Sequence, residues 1–324
     1  MKINLSSFLQ WRFNIFLCRL LGWRLTFYYI VFLGKLYFFF SRAETSKIKT
    51  AVQTVFSGRK QHYEVKSLTK DVFRGILFHY YEKIFNAFSS AKILRAFIET
   101  HIEGEGLDAV KQGLARGRGV LLITGHYGGV EFIPAFLGAS NYPVTIVAKF
   151  KSNRLRHISR QQADHFNVKI IDADHTPNIV KAVFKDLREN RIVITQCDEI
   201  DEWKPCQNNP ILFLGKPIGL DRTINILSQR CAATVVFGVM QRNCQYRYKF
   251  IATSSEQMAK QLQPYADRSA GAVVLKFLEQ YIYKYPQEWY QWKKFPVLDQ
   301  LAPAGVVTAA PSTIALLEPS FGPV

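Results

Sequence analysis

The stretch Gly117-Arg-Gly-Val-Leu-Leu-Ile-Thr-Gly-His-Tyr-Gly-Gly-Val-Glu131 decides how the chain is read. Gly119 to Thr124 is a short, nearly all-apolar run set off by glycines, the pattern of a strand buried on both faces. It runs into Gly125, His126 and Tyr127, and Gly128-Gly129 then precede a second apolar run that begins at Val130. Open α/β sheets place their ligands where a strand ends in such a turn. Inside one regular helix, a five-residue separation would turn Glu131 about 140° away from His126. The spacing therefore predicts His126 in the turn and Glu131 in the first turn of the helix that follows.

Upstream, Leu107 to Arg116 reads as a helix stopped at Gly117. Between Ser46 and Ile102 apolar residues recur at helical spacing (Val72, Ile76 and Tyr80, then Ile84 and Phe88), which predicts two or three amphipathic helices. Downstream, apolar runs return at Val144 to Ala148, Val168 to Ile171, Ile192 to Thr195 and Ala233 to Val239, several of them separated by helix-like segments. Strands alternating with helices give an α/β fold with a mixed, largely parallel sheet flanked by helices.

The N-terminal part differs. Leu25 to Phe40 (LTFYYIVFLGKLYFFF) carries Lys35 as its single charge and is a membrane-anchor candidate. As a helix its 16 residues rise roughly 24 Å against a hydrocarbon core of about 30 Å. A span must then borrow from Phe16 to Trp23, or the segment lies partly in the interface. Arginines precede it (Arg12, Arg19, Arg24) and Arg42, Lys47 and Lys49 follow, so the flanks leave orientation open. No small-residue cleavage site follows the run, which argues for an uncleaved anchor. From Pro303 onward the composition turns to Ala, Pro, Ser and Thr without period. The expected division is an N-terminal membrane anchor over 1–42, a folded domain over 43–300 and a disordered Ala/Pro-rich tail over 301–324.

A formal charge of +17, from 42 Lys and Arg against 25 Asp and Glu, calls for an anionic partner: nucleic acid, an acidic protein or a membrane face. Aromatics at 14%, with 25 Phe and 15 Tyr, favour the membrane, because such side chains settle at headgroup level. The five cysteines (Cys18, Cys197, Cys206, Cys231, Cys244) form no Cys-x-x-Cys pair and read as reduced thiols in a cytoplasmic body, with no zinc site or disulfide framework. Asp172, Asp174 and His175 have metal-ligand chemistry, but a loop after a strand gives the same composition, and no metal or cofactor is expected. His79, His157 and His165 have no partner at a telling distance. Gly-x-Ser-x-Gly does not occur, and Gly215-Lys216 lacks the remainder of a phosphate loop, which removes serine hydrolases and nucleotide-binding enzymes of those types.

At the His126 turn, a nearby carboxylate can accept from one imidazole nitrogen, fix the tautomer and raise the basicity of the other. The free nitrogen can then take a proton from an attacking hydroxyl. Exposed turn amides could stabilise the oxyanion formed when a thioester carbonyl is attacked. No serine or cysteine nucleophile is needed. The spacing alone does not decide, since seven His among 324 residues with 25 acids predict about half a His-x4-acid pair by chance.

Several ordered blocks add to it. The His126 segment, the Phe166-Asn-Val-Lys-Ile-Ile171 strand after Arg160, Asp198 in Gln196-Cys-Asp-Glu, Phe213-Leu-Gly-Lys-Pro217 and Tyr285-Pro-Gln-Glu-Trp-Tyr-Gln-Trp292 follow one another along nearly the whole chain. Together they resemble the bacterial lipid A late acyltransferases, the lauroyl and myristoyl transferases within the lysophospholipid acyltransferase superfamily. The resemblance implies a glycerolipid acyltransferase-like fold and a membrane-bound O-acyltransferase on the cytoplasmic face of the inner membrane. It implies an acyl carrier protein thioester (or acyl-coenzyme A) as donor and a glycolipid hydroxyl, foremost a lipid A precursor, as acceptor. On this chain it makes His126 the general base and Glu131 its orienting partner. Arg160 and Asp198 become substrate-binding residues, Asp198 organising the site from a strand end, while Trp289 and Trp292 are read as packing or interface anchors. Gly-Val-Glu131 stands where many members have Asn-Trp-Glu, and Lys293-Lys294 where many have a His-Arg-Arg cluster, so the acceptor stays open: a lysophospholipid or an inositol glycolipid is the alternative. A basic nucleic-acid-binding protein is the competing class.

Overall fold

The computed structural model describes residues 5–9, 11–57, 64–150, 152–244, 246–262 and 269–303, and the expected disordered tail falls almost wholly outside them. The chain opens with five helices, α1 (Leu5–Leu9), α2 (Arg12–Phe40), α3 (Arg42–Phe56), α4 (Val65–Phe88) and α5 (Ala91–His101). Strands and helices then alternate through β1 (Ile102–Glu105), α6 (Leu107–Ala115), β2 (Val120–Thr124), α7 (Ile133–Ala139), β3 (Val144–Ala148), α8 (Asn153–His165), β4 (Val168–Asp172), α9 (Ile179–Arg188) and β5 (Ile192–Gln196). A hairpin follows, β6 (Pro205–Phe213) with β7 (Lys216–Asp221), then α10 (Thr223–Cys231), β8 (Thr234–Cys244), β9 (Arg247–Ser254), α11 (Ser255–Gln261) and α12 (Ala270–Lys284). Short 3-10 turns cover Pro286–Glu288 and Gln291–Leu301.

Seven strands form one sheet in the order β1-β9-β8-β2-β5-β3-β4, and every pairing except β8 with β9 is parallel. The largely parallel sheet expected from the sequence is thus present. β2 is buried along its whole length. Its alternation feeds two cores: Leu121 and Ile123 pack with α9, α10 and α12, while Val120 and Leu122 pack with α4 to α7. Truncating either pair to alanine would cost about 2–5 kcal/mol per residue, because such filled sites close up poorly.

Of the two placements left open for the N-terminal segment, a span or a helix in the interface, the structure offers no support for the span. No described helix is long and apolar enough to cross a bilayer. The backbone of α2 leaves helical geometry at Gly22, whose φ of 66° and ψ of 173° suit glycine, so the apolar run Leu25–Phe40 is separated from the preceding residues it would need to borrow for a span. One face of α2 is packed: Phe27 lies edge-on to Tyr81 and Tyr246 and against Phe78 of α4. The other leaves Phe13, Phe16, Leu20, Leu25, Tyr28, Phe32, Phe39 and Phe40 exposed.

Candidate active site

β2 and β5 are parallel neighbours with Thr124 opposite Gln196. Two residues beyond each strand end, the same register brings His126 level with Asp198. The structure joins them: His126 Nδ1 lies 2.9 Å from Asp198 Oδ1, and the His126 amide donates to both carboxylate oxygens at 3.0 Å. The Trp289 indole N–H donates to Asp198 Oδ2 at 2.7 Å. Asp198 is fully buried. Burial works against its charge, but His126 and these donors hold its carboxyl below the usual carboxylate range.

The other ring nitrogen, Nε2, lies 3.1 Å from Glu199 Oε1, and Glu199 is partly exposed. Burial would lower the histidine pKa, yet Asp198 and Glu199 outweigh it and push it up to about 9. An imidazolium bridging two carboxylates is therefore the resting state at neutral pH. For a reaction in which His126 takes up a proton the ring must first be neutral, so kcat/KM of the free enzyme is expected to climb with pH along an acid limb centred near pH 9. A limb near the ordinary histidine value of 6.5 in a kcat/KM profile would contradict this electrostatic picture.

Glu131 does not take up the role expected of it as partner of His126. It lies in a 3-10 turn, Val130–Phe132, with Oε1 3.5 Å from Lys83 Nζ and 3.9 Å from His79 Nε2. His79, unremarkable in sequence, is buried and stacks on Tyr290 at 3.4 Å; that ring in turn meets the edge of His126 at 5.2 Å. Burial first, and the nearby Lys83 and His126 next, hold His79 well below its ordinary pKa, so it stays neutral.

The turn amides expected to face an oxyanion are already committed. Besides His126, Tyr127 N–H donates to Gly125 at 2.7 Å, Gly128 to Glu288 at 2.9 Å and Gly129 to Met240 at 2.8 Å. Gly128 sits at φ 58° with the Met240 carbonyl packed where a side chain would begin. Arg242 braces the turn from beneath: it grips Glu82 through Nε and Nη2 at 2.7 and 2.8 Å, Glu288 at 2.9 Å and the Gly128 carbonyl at 3.0 Å.

A cavity of about 680 Å³ opens beside these residues. Lys83, Glu131, Thr124 and Glu199 border it, and Ile84, Phe88, Ala135, Ile146, Phe166 and Ile194 give it an apolar wall. Arg160 stands on α8, which lines the cavity through other residues; its guanidinium is half exposed and donates to Asp172 at 3.1 Å, beside Arg156 at 2.8 Å. Asp172 is thus neutralised by arginines, and among the described residues no group of His, Cys, Asp and Glu is placed to hold a metal ion. Trp289 and Trp292 are both fully buried, so neither is an interface anchor.

Of the residues singled out in the sequence the structure brings His126 and Asp198 together and adds Glu199, Tyr290, His79 and the bond from Trp289, none of which the sequence pointed to. The spacing of the two strand ends was the available signal: a His and an Asp each stand two residues past a buried apolar run.

A histidine base held by a buried carboxylate at the strand ends, beside an apolar cavity, suits direct proton transfer from a hydroxyl. Cys197, next to Asp198, is buried, and burial pushes its thiol well up, away from the reactive thiolate. The chain belongs to the bacterial lipid A biosynthesis acyltransferases, whose family model matches residues 4–294. No curated protein matches it. The protein is accordingly an acyltransferase of the lipid A kind, a family that implies an acyl donor and a lipid acceptor.

Proposed function

We propose that the protein transfers a fatty acyl chain from an acyl carrier protein thioester to a hydroxyl of a glycolipid, foremost a lipid A precursor. The observation that carries this reading is the Asp198–His126 pair, whose second ring nitrogen contacts Glu199 at the border of the cavity. Asp198 keeps the proton on Nδ1, and neutral Nε2 takes the proton of the acceptor hydroxyl. The hydroxyl oxygen bonds to the thioester carbonyl carbon. When the tetrahedral adduct collapses, the carbon–sulfur bond breaks and the departing sulfur receives the proton from Nε2. The ester is formed and His126 is neutral again.

The cavity size suits a small-molecule pocket of about 300–1,000 Å³ and would hold the acyl chain. Glu131 serves by holding Lys83 at the cavity rim. Arg160, pinned on one side by Asp172, offers its remaining donors to anionic groups of a substrate. Asp198 acts behind His126, since its full burial keeps it from substrate.

Membrane attachment follows from α2 as a helix lying in the interface of the inner membrane, on its cytoplasmic face. The exposed aromatic face enters the lipid, and Arg12, Arg24, Lys35 and Arg42 meet anionic headgroups. Replacing Phe32 and Phe39 by Asp is expected to weaken sedimentation with anionic vesicles at least about tenfold, since each change removes roughly 1.5–3 kcal/mol of apolar burial. Unchanged vesicle binding would remove α2 from the attachment.

The function is tested by following acyl transfer from an acyl carrier protein thioester to a lipid A precursor, an inositol glycolipid and a lysophospholipid. Lipid mass spectra with and without the gene identify the acceptor in the cell. Transfer to the lipid A precursor supports the reading, and transfer to the other acceptors alone replaces it.

A further inference from the structure

The nitrogen that must accept the hydroxyl proton is not free in this site. Nε2 of His126 lies 3.1 Å from Glu199 Oε1, so turnover requires that carboxylate to withdraw. A second seat for it is already built. The other oxygen of Glu199, Oε2, is 3.8 Å from Lys294 Nζ, just beyond hydrogen-bond reach. Lys294 is itself fixed by Asp201 Oδ2 at 2.7 Å and is only one-fifth exposed. Glu199 precedes the short 3-10 turn Ile200–Glu202, which packs against the turn Gln291–Leu301 that carries Lys294. A side-chain rotation of Glu199 by under an ångström or so would exchange one contact for the other.

We propose that Lys294 is a positioning residue that draws Glu199 away from Nε2 of His126 and so exposes that nitrogen to the acceptor hydroxyl. This rests on His126 being the base in the reaction proposed above. The imidazole meets Asp198 and Glu199 from the loop after β5 and the Tyr290 ring from the C-terminal segment, with His79 of α4 beyond that ring. Lys83 of α4, Arg242 of β8 and Lys293 surround His79, Glu131 after β2 pairs with Lys83, and Lys294 reaches Glu199. Among them Lys294 is the cation within ion-pair distance of Glu199, and it meets the carboxylate oxygen that His126 does not. With Lys294 gone, Glu199 stays on Nε2 and the imidazolium is held to higher pH.

The test uses the full chain labelled with ¹⁵N in histidine. The His126 ring is assigned by its loss in His126→Gln and titrated by NMR. Lys294→Met is expected to raise its midpoint by about 0.5–1 pH unit, because a carboxylate left in contact with Nε2 favours the charged ring. Lys294→Arg should restore the wild-type midpoint. In a Glu199→Gln background the rise should vanish, because the lysine acts through that carboxylate. The acid limb of kcat/KM should move with the midpoint. No rise in Lys294→Met, or an equal rise in the Glu199→Gln background, overturns the proposal. If wild-type protein transfers no acyl group while the midpoints move as described, the functional reading falls and the Lys294–Glu199–His126 coupling stands.

Discussion

Asp198→Asn is expected to reduce acyl transfer by about 10³–10⁴-fold, close to the loss in His126→Ala, because an amide presents the wrong partner to Nδ1. Asparagine keeps the shape of the side chain and can still accept from Trp289, so the protein should fold. What it loses is the charge that holds the proton on Nδ1 and favours the imidazolium. The acid limb of kcat/KM should therefore also move down in pH. The contrast with Glu131→Gln locates the partner of His126. That carboxylate faces Lys83 and His79, so its replacement should leave the limb in place whatever it does to the rate. A pH profile that moves in Glu131→Gln and stays put in Asp198→Asn would return the orienting role to Glu131.

Arg242→Met should be the most destabilising single change outside the apolar core, by about 3–5 kcal/mol, since it strands buried carboxylates without a counter-charge. Glu82 and Glu288 are both almost inaccessible, and burial pushes the Glu288 carboxyl up to about 7 even with the guanidinium beside it. Methionine matches much of the volume, so the cost is electrostatic. Urea unfolding reads the effect directly, and a loss below about 1 kcal/mol would show that the cluster contributes little. Replacing Glu82, Glu288 and Arg242 together by apolar residues should recover much of the loss, because no unpaired charge would then remain.

The two cases also show what the sequence could and could not disclose. Strands β2 to β5 and β8 are legible because each is an apolar run bounded by turn residues. β1 is not: Ile102-Glu-Gly-Glu105 lies at a sheet edge with one side chain buried, and nothing in its composition marks a strand. β9 alternates polar with apolar residues and gains its place by folding back on β8. The β6–β7 hairpin turns through Leu214 and Gly215, both at positive φ, a conformation leucine adopts only when the flanking strands impose it. At the site, His126 was legible from its strand-turn setting. The resemblance implies a partner five residues away, whereas the carboxylate on Nδ1 is brought in by strand register from 72 residues along the chain, which linear order does not display. The apolar composition of α2 leaves span and interface both open, and the break at Gly22, ahead of Leu25, is a backbone feature that composition does not announce.

The bond from Trp289 to Asp198 also joins residues 91 positions apart, which bears on the order of synthesis. A ribosome adding about 5–20 residues per second needs several seconds after Asp198 to reach the indole that braces it, and Lys294 comes later still. A nascent chain already long enough to carry the whole β2–β5 pairing thus lacks the support that fixes its carboxylate. The proposed reactive centre is completed by the C-terminal segment, so a half-made chain touching lipid has no finished base with which to take the proton of an acceptor hydroxyl.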